Sequence, residues 1–553
     1  MRRIICLAGM LACAGSPCFA QAGQSQIPAS FFGIHIATLP SIFPLKIKYG
    51  NYRNLASGQA WWHLNTCNPP HSPRDCQSNP VANSSFNFDT LDVILAHVKN
   101  ASANDVFFTL SGTPTWAAAY TPPQGTCTLP PAGCILPPDI NSDGSGTNAV
   151  WDNWVEHIAA HVNDPTYLQT HAHVKYWEPW NEVFSDHLIS FCCSVQSSLG
   201  TYAQHLRLTE DTRCLIAGTG TVHNYPSAGS ATPCSSYLAS HGYSAIDPGA
   251  QIVLSSMAPG EAGSQELRFV QNFLYCNNNP KRDLGSTTSC TWSGGRNWMS
   301  AAVDIINFHL YIDTEQPEAD LPNGSANDWI GAIKGILSAE DRSKPLWNGE
   351  GGCGTPASRN PRHIWGDSYA NAAFVIRYAA LLWSAGVSEN FWFVYNNQPV
   401  PWSPLADGGT LLPAGTAFNA AYQWLVGSTP AANPFCSNEG TIWTCPLIEA
   451  NGKPAELVWD SQYGPGGTTA PRDCATAPEP TICGSTTYTV PAAYSADWID
   501  MTGASHPSSP TLTIGGVPIL LEGSSQANVR ERVNPPLQRP LRERAKPPVQ
   551  RPI

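Results

Sequence analysis

The alternation of strand-like and helix-like segments constrains the fold of this chain most strongly. Short apolar runs rich in β-branched and aromatic residues alternate with segments whose apolar residues recur at helical spacing. Strands are predicted at 31–36, around 47–62, and at 106–110, 173–177, 252–255, 305–310, 345–348 and 391–395. Eight strands with intervening helices predict an α/β fold, the (β/α)8 TIM barrel, at 28–428. An open doubly wound sheet is the alternative.

The helical spacing stops after Gly427. Short strand-like runs separated by turns follow, and they predict a small all-β sandwich at 429–523. We favour a role in buttressing the barrel over a role in binding ligand for this sandwich. Residues 524–553 contain seven Lys/Arg, two Glu and repeated prolines. That composition cannot bury a core, so we expect a disordered basic tail.

The first 22 residues have the layout of a secretory signal peptide. Arg2 and Arg3 precede an apolar run at 4–14, and small residues follow at 18–22. Lipid attachment at Cys13 is the alternative. No later apolar run approaches the roughly 20 residues needed to cross a bilayer. We therefore expect a secreted protein, extracellular or periplasmic, with no membrane span.

The charge and composition argue against a nucleic-acid partner. The formal net charge is −12 and only 13% of residues are charged, while Gly, Pro, Trp and Tyr are abundant. An acidic protein does not attract a polyanion, and uncharged polar and aromatic groups suit a neutral oligo- or polysaccharide. The oligomeric state cannot be read from these properties.

The cysteines predict disulfides that close short loops, since closely spaced pairs are typical of exported proteins. The pairs expected are Cys67/Cys76, Cys127/Cys134, Cys276/Cys290, Cys436/Cys445 and Cys474/Cys483, with Cys214/Cys234 as a plausible sixth. Cys6, Cys13 and Cys18 leave with the expected signal peptide, so Cys192, Cys193 and Cys353 then remain, which is an odd number. The paired C-x-x-C spacing of structural zinc sites is absent from the sequence, so we expect no metal.

Two glutamates stand where barrel strands are predicted to end. Glu182 closes the segment WEPWNE after the fourth strand, and Glu350 lies in the segment NGEGG at the end of the seventh. Catalytic residues of TIM barrels lie at these strand ends. Hydrolysis of a glycosidic bond uses one carboxyl group to protonate the leaving oxygen and another to attack. The pair therefore predicts a glycosidase, although either glutamate alone could be a solvated loop residue.

This arrangement resembles the clan A glycoside hydrolases, family 39 most of all, over residues 30–427. The resemblance implies that Glu182 is the acid/base and Glu350 the nucleophile. His309 and Tyr311 match the clan's His-x-Tyr at the end of the sixth strand, whose Tyr bonds the nucleophile. Trp392, in the Phe-Trp-Phe of the eighth strand, is similar to the aromatic residue beneath the sugar ring.

Further substrate-binding residues are expected by the same resemblance. Asn181 is suited to bond the sugar 2-hydroxyl as charge develops. His35, Arg53 and Trp116 resemble sugar-binding positions of the family, with packing in the core or rim as the alternative. The chain departs from the family pattern at Val183, where Pro is common in the clan, and at 54–56, where relatives carry an aromatic residue and an acid.

Three polar residues near these motifs are expected to be structural. Alternation along the fourth strand turns Glu178 away from the pocket if Trp177 faces inward. Trp177 and Trp180 would then supply apolar walls beside Glu182. His171 and His173 have the spacing of a metal pair on a strand, but no third ligand is evident, so we expect ordinary hydrogen bonds for them.

These features predict a secreted retaining hydrolase of β-linked oligo- or polysaccharide, either a xylan-type glycan or an exopolysaccharide. It would act by double displacement through a covalent glycosyl-enzyme, with no cofactor. The alternative is a non-catalytic glycan-binding protein or a cell-surface adhesion protein.

Overall fold

The structure is a computed structural model. It describes residues 25–36, 43–55, 60–103, 105–119, 135–183, 201–225, 230–256, 264–275, 297–312, 316–321, 328–353, 368–396, 404–407, 409–463, 483–494 and 496–523. The expected signal peptide and the basic tail lie outside the described residues.

Eight parallel strands form one sheet. They are β1 (Phe32–His35), β2 (Asn51–Asn54), β3 (Asp105–Thr109), β4 (His173–Glu178), β5 (Gln251–Ile252), β6 (Ile306–Ile312), β7 (Leu346–Cys353) and β8 (Glu389–Trp392). Their hydrogen-bonded order is β6-β7-β8-β1-β2-β3-β4-β5. The uncertain second strand is thus the short β2.

The sheet closes on itself between β5 and β6. Val253 forms a parallel bridge with Ile305, and the Leu254 amide donates to the Ile305 carbonyl at 2.9 Å. Closure confirms the predicted (β/α)8 barrel and makes the open-sheet alternative wrong. All eight strands therefore end at the same face of the barrel.

Helices connect the strands on the outside of the barrel. They are α1 (Asp89–Asn100), α2 (Ala149–Val162), α3 (Tyr202–Ala217), α4 (Cys234–His241), α5 (Ser264–Tyr275), α6 (Trp329–Ile336), α7 (Ser368–Ser384) and α8 (Pro413–Leu425). Shorter helices are Trp61–Leu64, Pro73–Ser78, Pro80–Asn83, Trp298–Ala302 and Pro317–Asp320. Two-stranded hairpins pair Asn65–Cys67 with Ser84–Phe86, Thr221–His223 with Ala231–Pro233, and Ala406–Asp407 with Thr410–Leu411.

Local sequence signals explain where α3 begins and ends, although the apolar spacing did not predict this helix. Thr201 and Gln204 form a capping box, in which each side chain bonds the backbone amide of the other residue. The helix ends at Gly218, whose φ of 69° lies in the left-handed region that glycine adopts readily.

Large side chains fill the barrel interior below the strand ends. Each of the strands or strand extensions from β3 to β8 contributes one buried residue to this layer, namely Phe107, Tyr176, Val253, Ile305, Trp347 and Phe391. Neighbouring residues on the same strands point outward to the helices. This layer sets which strand positions face the interior, and it supports the polar groups above it.

A second domain of antiparallel strands follows the barrel. Its strands are β9 (Thr429–Pro430), β10 (Ser437–Glu439), β11 (Ile442–Ile448), β12 (Pro454–Asp460), β13 (Thr486–Thr489), β14 (Trp498–Ile499), β15 (Ser505–His506), β16 (Thr511–Ile514) and β17 (Ile519–Glu522). One sheet has the order β9-β11-β12-β17-β14-β15 with β10 on β11, and the other pairs β13 with β16. This confirms the predicted β-sandwich.

A buried arginine joins the sandwich to the barrel. Arg377 of α7 donates to the carbonyl oxygens of Gly516 at 2.8 Å, Asp460 at 3.1 Å and Tyr463 at 2.6 Å. Its side chain is fully buried and lies 3.5 Å from Glu318, which accepts the Trp459 indole N–H at 2.6 Å. The two domains are therefore in polar as well as apolar contact.

Disulfides join three of the expected cysteine pairs in the described chain. Cys67–Cys76, Cys214–Cys234 and Cys436–Cys445 are confirmed. Cys483 is also disulfide-bonded. Its expected partner Cys474, the pairs at 127/134 and 276/290, and Cys192 and Cys193 lie outside the described residues. Cys353 is buried. Within the described ranges, no helix combines the length and hydrophobicity required to cross a bilayer.

Candidate active site

The end of β7 presents Glu350 to the barrel interior through an irregularity in the strand. The pairing of β7 with β6 shifts between Phe308 and His309, and its pairing with β8 shifts between Asn348 and Gly351. A β-bulge redirects the side chains that follow it. As a result Glu350 lies opposite His309, with only about a tenth of its side chain exposed.

The glycines beside Glu350 are required for close packing. A Cβ atom on Gly349 would lie 2.3 Å from the Asn307 side-chain oxygen. On Gly351 it would lie 2.4 Å from the Leu310 carbonyl oxygen and 2.6 Å from the Tyr378 hydroxyl. All three distances are too short for real atoms, so the segment NGEGG allows β6 and β7 to approach around Glu350.

Glu182 follows β4 in an unusual backbone conformation. Its φ is 44°, in the left-handed region that non-glycine residues adopt rarely. The Glu182 amide donates to the Ser256 hydroxyl oxygen at 3.2 Å, and the Val183 amide donates to the Ser256 carbonyl at 3.1 Å. Backbone strain of this kind is frequent at functional sites, where neighbouring contacts maintain it.

The two carboxylates lie side by side. Glu182, His309 and Glu350 each offer one ligand atom, and these atoms lie within 4.8 Å of one another. The His309 Nδ1 atom is 2.9 Å from Glu182 Oε1 and 3.8 Å from Glu350 Oε2. The structure therefore brings both predicted glutamates and the predicted histidine into one cluster.

Glu350 receives hydrogen bonds on both oxygens. Arg53 Nη1 donates to Oε2 at 2.5 Å, and the Tyr311 hydroxyl donates to Oε1. The second Arg53 nitrogen donates to Glu178 at 2.8 Å and to Asn181 at 2.7 Å. One guanidinium group thus connects β2 with the ends of β4 and β7.

The electrostatics keep the donors around Glu350 in their donating forms. Burial alone would lower the pKa of Arg53, but Glu178 and Glu350 outweigh burial and raise this pKa, so Arg53 stays protonated. Burial, followed by the charge of Glu350, raises the pKa of Tyr311 well above its ordinary value. Tyr311 therefore keeps its proton in the physiological pH range.

Two histidines in the site are held neutral. Burial, helped by the Arg53 charge, lowers the pKa of His309 to about 4 although Glu350 and Glu178 oppose this shift. Burial and then Arg53 lower the pKa of His35 well below its ordinary value. His35 pairs in register with Arg53 and packs edge-on to Phe393 with ring centroids 4.8 Å apart. His35 therefore lies beside the cluster, and its role in sugar binding stays a prediction.

The expectation for Trp392 needs correction. Its ring packs against the rings of Phe374 and Tyr378 on α7, with a ring-centroid distance of 6.0 Å to each. Trp392 therefore points outward from the barrel. The reason is alternation along the chain, because Phe391 belongs to the interior layer. The next residue, Phe393, instead contacts His35 and lies 6.2 Å from Tyr311. Phe393 is thus the aromatic residue beside the carboxylates.

Trp116 is not brought to the cluster by any described contact. It is buried, and its indole N–H donates to the Asn65 carbonyl at 3.3 Å. Its own carbonyl accepts from the Gln77 side chain at 2.7 Å. These bonds hold the segment around Asn65 and Gln77, in agreement with the alternative of a packed residue.

The orientation predicted for Glu178 is wrong. Tyr176, not Trp177, belongs to the interior layer, so Glu178 faces inward as well. Trp177 packs on Phe108, and Trp180 packs on Trp151 and His205, so neither is an apolar wall of the cluster in the described contacts. The sequence could not assign the inward face because both 176 and 177 are aromatic.

Metal coordination is a second possible use of the cluster by distance alone. Glu182, His309 and Glu350 are the group found among the described residues whose spacing could hold an ion. The guanidinium of Arg53 already bonds Glu350, and a second cation there would be repelled. His171 and His173 make separate contacts: His171 stacks on Tyr167, and His173 bonds Asp247 at 2.9 Å.

Comparisons with known proteins show that this chain shares its fold with solved structures that include a glycoside hydrolase. No known family profile matches the sequence, and no curated protein is significantly similar to it in sequence. One solved structure with the same fold is a family 39 glycoside hydrolase. The resemblance predicted from the motifs is therefore confirmed at the level of the fold.

Two solved structures with TM-scores of at least 0.50 match most of the chain. A family 39 glycoside hydrolase from Bacteroides cellulosilyticus WH2 is 13% identical with a TM-score of 0.52, over 90% of this chain and 81% of its own. A conserved exported protein from Bacteroides fragilis is 9% identical with a TM-score of 0.50, over 91% and 98%. Identities this low establish a shared fold, and the activity must be argued from the site.

Proposed function

We propose that this protein is a secreted retaining glycoside hydrolase that cleaves β-linked oligo- or polysaccharides without a cofactor. The observation that carries the proposal is the pair Glu182 and Glu350, whose ligand atoms lie within 4.8 Å of each other at the strand ends of a closed barrel. Retaining enzymes have carboxyl groups about 5–5.5 Å apart, whereas inverting enzymes need a wider gap for water. The short separation favours the retaining mechanism.

In the first step Glu350 is the nucleophile. Its carboxylate attacks the anomeric carbon and forms the covalent glycosyl-enzyme, while Glu182 donates its proton to the departing glycosidic oxygen. Arg53 and Tyr311 donate to the two oxygens of Glu350 and aim them. The neutral His309 bonds Glu182 and adds no charge that would compete with Arg53.

In the second step Glu182 acts as a base. It takes a proton from a water molecule, the water oxygen attacks the anomeric carbon, and the bond to Glu350 breaks. Glu182 is thereby protonated again and Glu350 is again a carboxylate. Each of the two steps inverts the configuration at the anomeric carbon, so the product keeps the configuration of the substrate.

The substrate-binding roles follow from the groups around the carboxylates. Asn181 accepts from Arg53 through its Oδ1 atom, so its amide nitrogen is left to donate to the sugar 2-hydroxyl. Phe393 replaces Trp392 as the aromatic ring beneath the sugar, beside His35. The uncharged, aromatic composition supports a xylan-type glycan or an exopolysaccharide as substrate, and the disulfides support secretion.

The anomeric configuration of the first product tests this proposal. Proton NMR of xylo-oligosaccharide or exopolysaccharide hydrolysis is expected to show the β-anomer first, with the α-anomer appearing only by mutarotation. Glu182→Gln and Glu350→Gln are expected to abolish turnover while the protein stays folded. Immediate appearance of the α-anomer would contradict retention. Tight glycan binding without any turnover would favour the non-catalytic binding protein.

A further inference from the structure

Glu178 and Ser256 contact groups that hold the two carboxylates, and neither was expected to do so. Both are fully buried. Glu178 is the last residue of β4, and Ser256 follows β5 four residues beyond Ile252. This inference rests on the proposed function, which gives neither side chain a contact with the substrate. Both side chains nevertheless contact residues to which that function gives a role at the site.

Ser256 holds the backbone of the acid/base segment. Its hydroxyl oxygen accepts from the Glu182 amide at 3.2 Å, and its carbonyl accepts from the Val183 amide at 3.1 Å. These two bonds restrain the left-handed conformation of Glu182, whose φ is 44°. Without the hydroxyl, the chain at Glu182 has one restraint fewer against returning to an ordinary conformation.

Glu178 holds Ser256 on one oxygen and Arg53 on the other. Its Oε1 atom accepts from the Ser256 amide at 2.8 Å and from Asn307 at 3.1 Å. Its Oε2 atom accepts from Arg53 at 2.8 Å and from Thr109 at 2.6 Å. All four partners are donors, so an ionised carboxylate is the group that satisfies them together.

We propose that Glu178 and Ser256 are positioning residues that fix the two catalytic carboxylates relative to each other. Glu178 acts on the nucleophile through Arg53, which bonds Glu350, and on the acid/base through Ser256, which bonds the Glu182 backbone. Ser256 acts on the acid/base alone. The two residues therefore have separable effects on catalysis.

Ser256→Ala is the selective test, because it removes the hydroxyl acceptor and leaves the backbone bonds. The readout is kcat/KM, which reports the first step, for two aryl β-xylosides that differ in how much they need protonation. With 4-nitrophenyl xyloside, or a substrate with a still poorer leaving group, departure needs protonation by Glu182, and we expect kcat/KM to fall about tenfold. With 2,4-dinitrophenyl xyloside the leaving group needs little protonation, and we expect kcat/KM to fall less than twofold. The matched control is Ser255→Ala, since buried Ser255 has no hydrogen bond to residues 178–183.

Glu178→Gln tests the effect of Glu178 on the nucleophile through Arg53. A glutamine turns an NH2 group toward either Arg53 and Thr109 or Ser256 and Asn307, and each of these is a donor. We expect kcat/KM to fall at least tenfold with both xylosides, because Arg53 loses one of its two carboxylate partners and is held less firmly against Glu350. Glu178→Asp is expected to restore part of the loss.

A merely structural role would lower kcat/KM for both xylosides equally in Ser256→Ala, and that result would overturn the proposal. Hydrogen exchange provides a readout that needs no turnover: the Glu182 amide should exchange faster in Ser256→Ala, with the Val183 amide unchanged. Unchanged exchange at Glu182 would also overturn it. A wild-type protein that cleaves neither these xylosides, nor aryl glycosides of glucose or galactose, nor the xylo-oligosaccharides and exopolysaccharide named above would instead refute the proposed function and this inference with it.

Discussion

Replacing Arg53 with lysine tests whether one guanidinium group organises the site. The native side chain is fully buried and donates to Glu350, Glu178 and Asn181 at 2.5–2.8 Å. Lysine keeps the positive charge but has a single nitrogen in place of a planar fork, so it cannot reproduce all three bonds. The substitution therefore separates geometry from charge.

The expected loss follows from the bonds removed. At least one hydrogen bond to a carboxylate is lost, and such a bond contributes about 1.5–3 kcal/mol. If that energy is expressed in the transition state, kcat/KM falls about ten- to hundredfold, because about 1.4 kcal/mol corresponds to a factor of ten. The loss should be present with 2,4-dinitrophenyl glycosides, since Arg53 acts on the nucleophile and not on the acid.

The assay is steady-state hydrolysis of an aryl glycoside by Arg53→Lys, with unfolding in urea as a measure of stability. Arg213→Lys is the matched control, because Arg213 also bonds a carboxylate with both terminal nitrogens, at Asp304, but away from the cluster. We expect less than a twofold change in kcat/KM for the control. Wild-type kcat/KM in Arg53→Lys would refute the role given to the guanidinium fork.

Three further changes are expected to act mainly on stability. The pKa of His309 is about 4 in the folded protein and near 6.5 in the unfolded chain, so the unfolded chain binds the extra proton between these pH values. The free energy of unfolding should therefore rise by on the order of 3 kcal/mol from pH 4 to 6.5. His309→Gln should remove this part of the rise, as measured by urea titrations. Replacing Cys214 and Cys234 with alanine opens a loop of sequence separation 20 and should lower the free energy of unfolding by about 3 kcal/mol in the same assay; an unchanged urea midpoint would contradict the estimate. Arg377→Met breaks the buried pair with Glu318 and should destabilise the fold by about 3–5 kcal/mol while kcat/KM below the unfolding temperature stays within twofold. A large loss of kcat/KM in folded Arg377→Met would show that the sandwich does more than buttress the barrel.

Much of the barrel could be predicted from the sequence because apolar runs and helical spacing are local patterns. The strand around Ile306–Ile312 and the helix at Ser368–Ser384 follow directly from such patterns. The helix Tyr202–Ala217 was missed because buried polar residues, including Glu210 and Asp211, interrupt its apolar face. Its capping box and terminal glycine were the signals that could have identified it.

The glutamate pair could be predicted because each residue sits in a distinctive strand-end segment, but the inward faces of two strands could not. On β4 and β8 consecutive aromatic residues can all be buried, either in the barrel interior or beneath the helices. Trp177 and Trp392 were expected to face inward, whereas Tyr176 and Phe391 do so. A one-residue error of this kind reversed the predicted orientation of Glu178. The same error on β8 led to the choice of Trp392 instead of Phe393 as the aromatic residue beside the carboxylates.

Contacts between distant strands carry no sequence signal that spacing can reveal. Ser256 bonds Glu178 and the Glu182 amide across 78 and 74 residues of sequence. A serine following a short apolar strand is a common feature with many uses. Its contacts with Glu178 and Glu182 depend on how the barrel strands come together, which only the three-dimensional structure shows.

Trapping the glycosyl-enzyme tests the central claim most directly. The protein would be incubated with 2,4-dinitrophenyl 2-deoxy-2-fluoro-β-glycosides of xylose, glucose and galactose, and mapped by peptide mass spectrometry. We predict a stable adduct on the peptide that carries Glu350, with none in Glu350→Gln. An adduct on Glu178 or Glu182, or no adduct with a sugar whose unfluorinated aryl glycoside is cleaved, would contradict Glu350 as the nucleophile of a retaining enzyme.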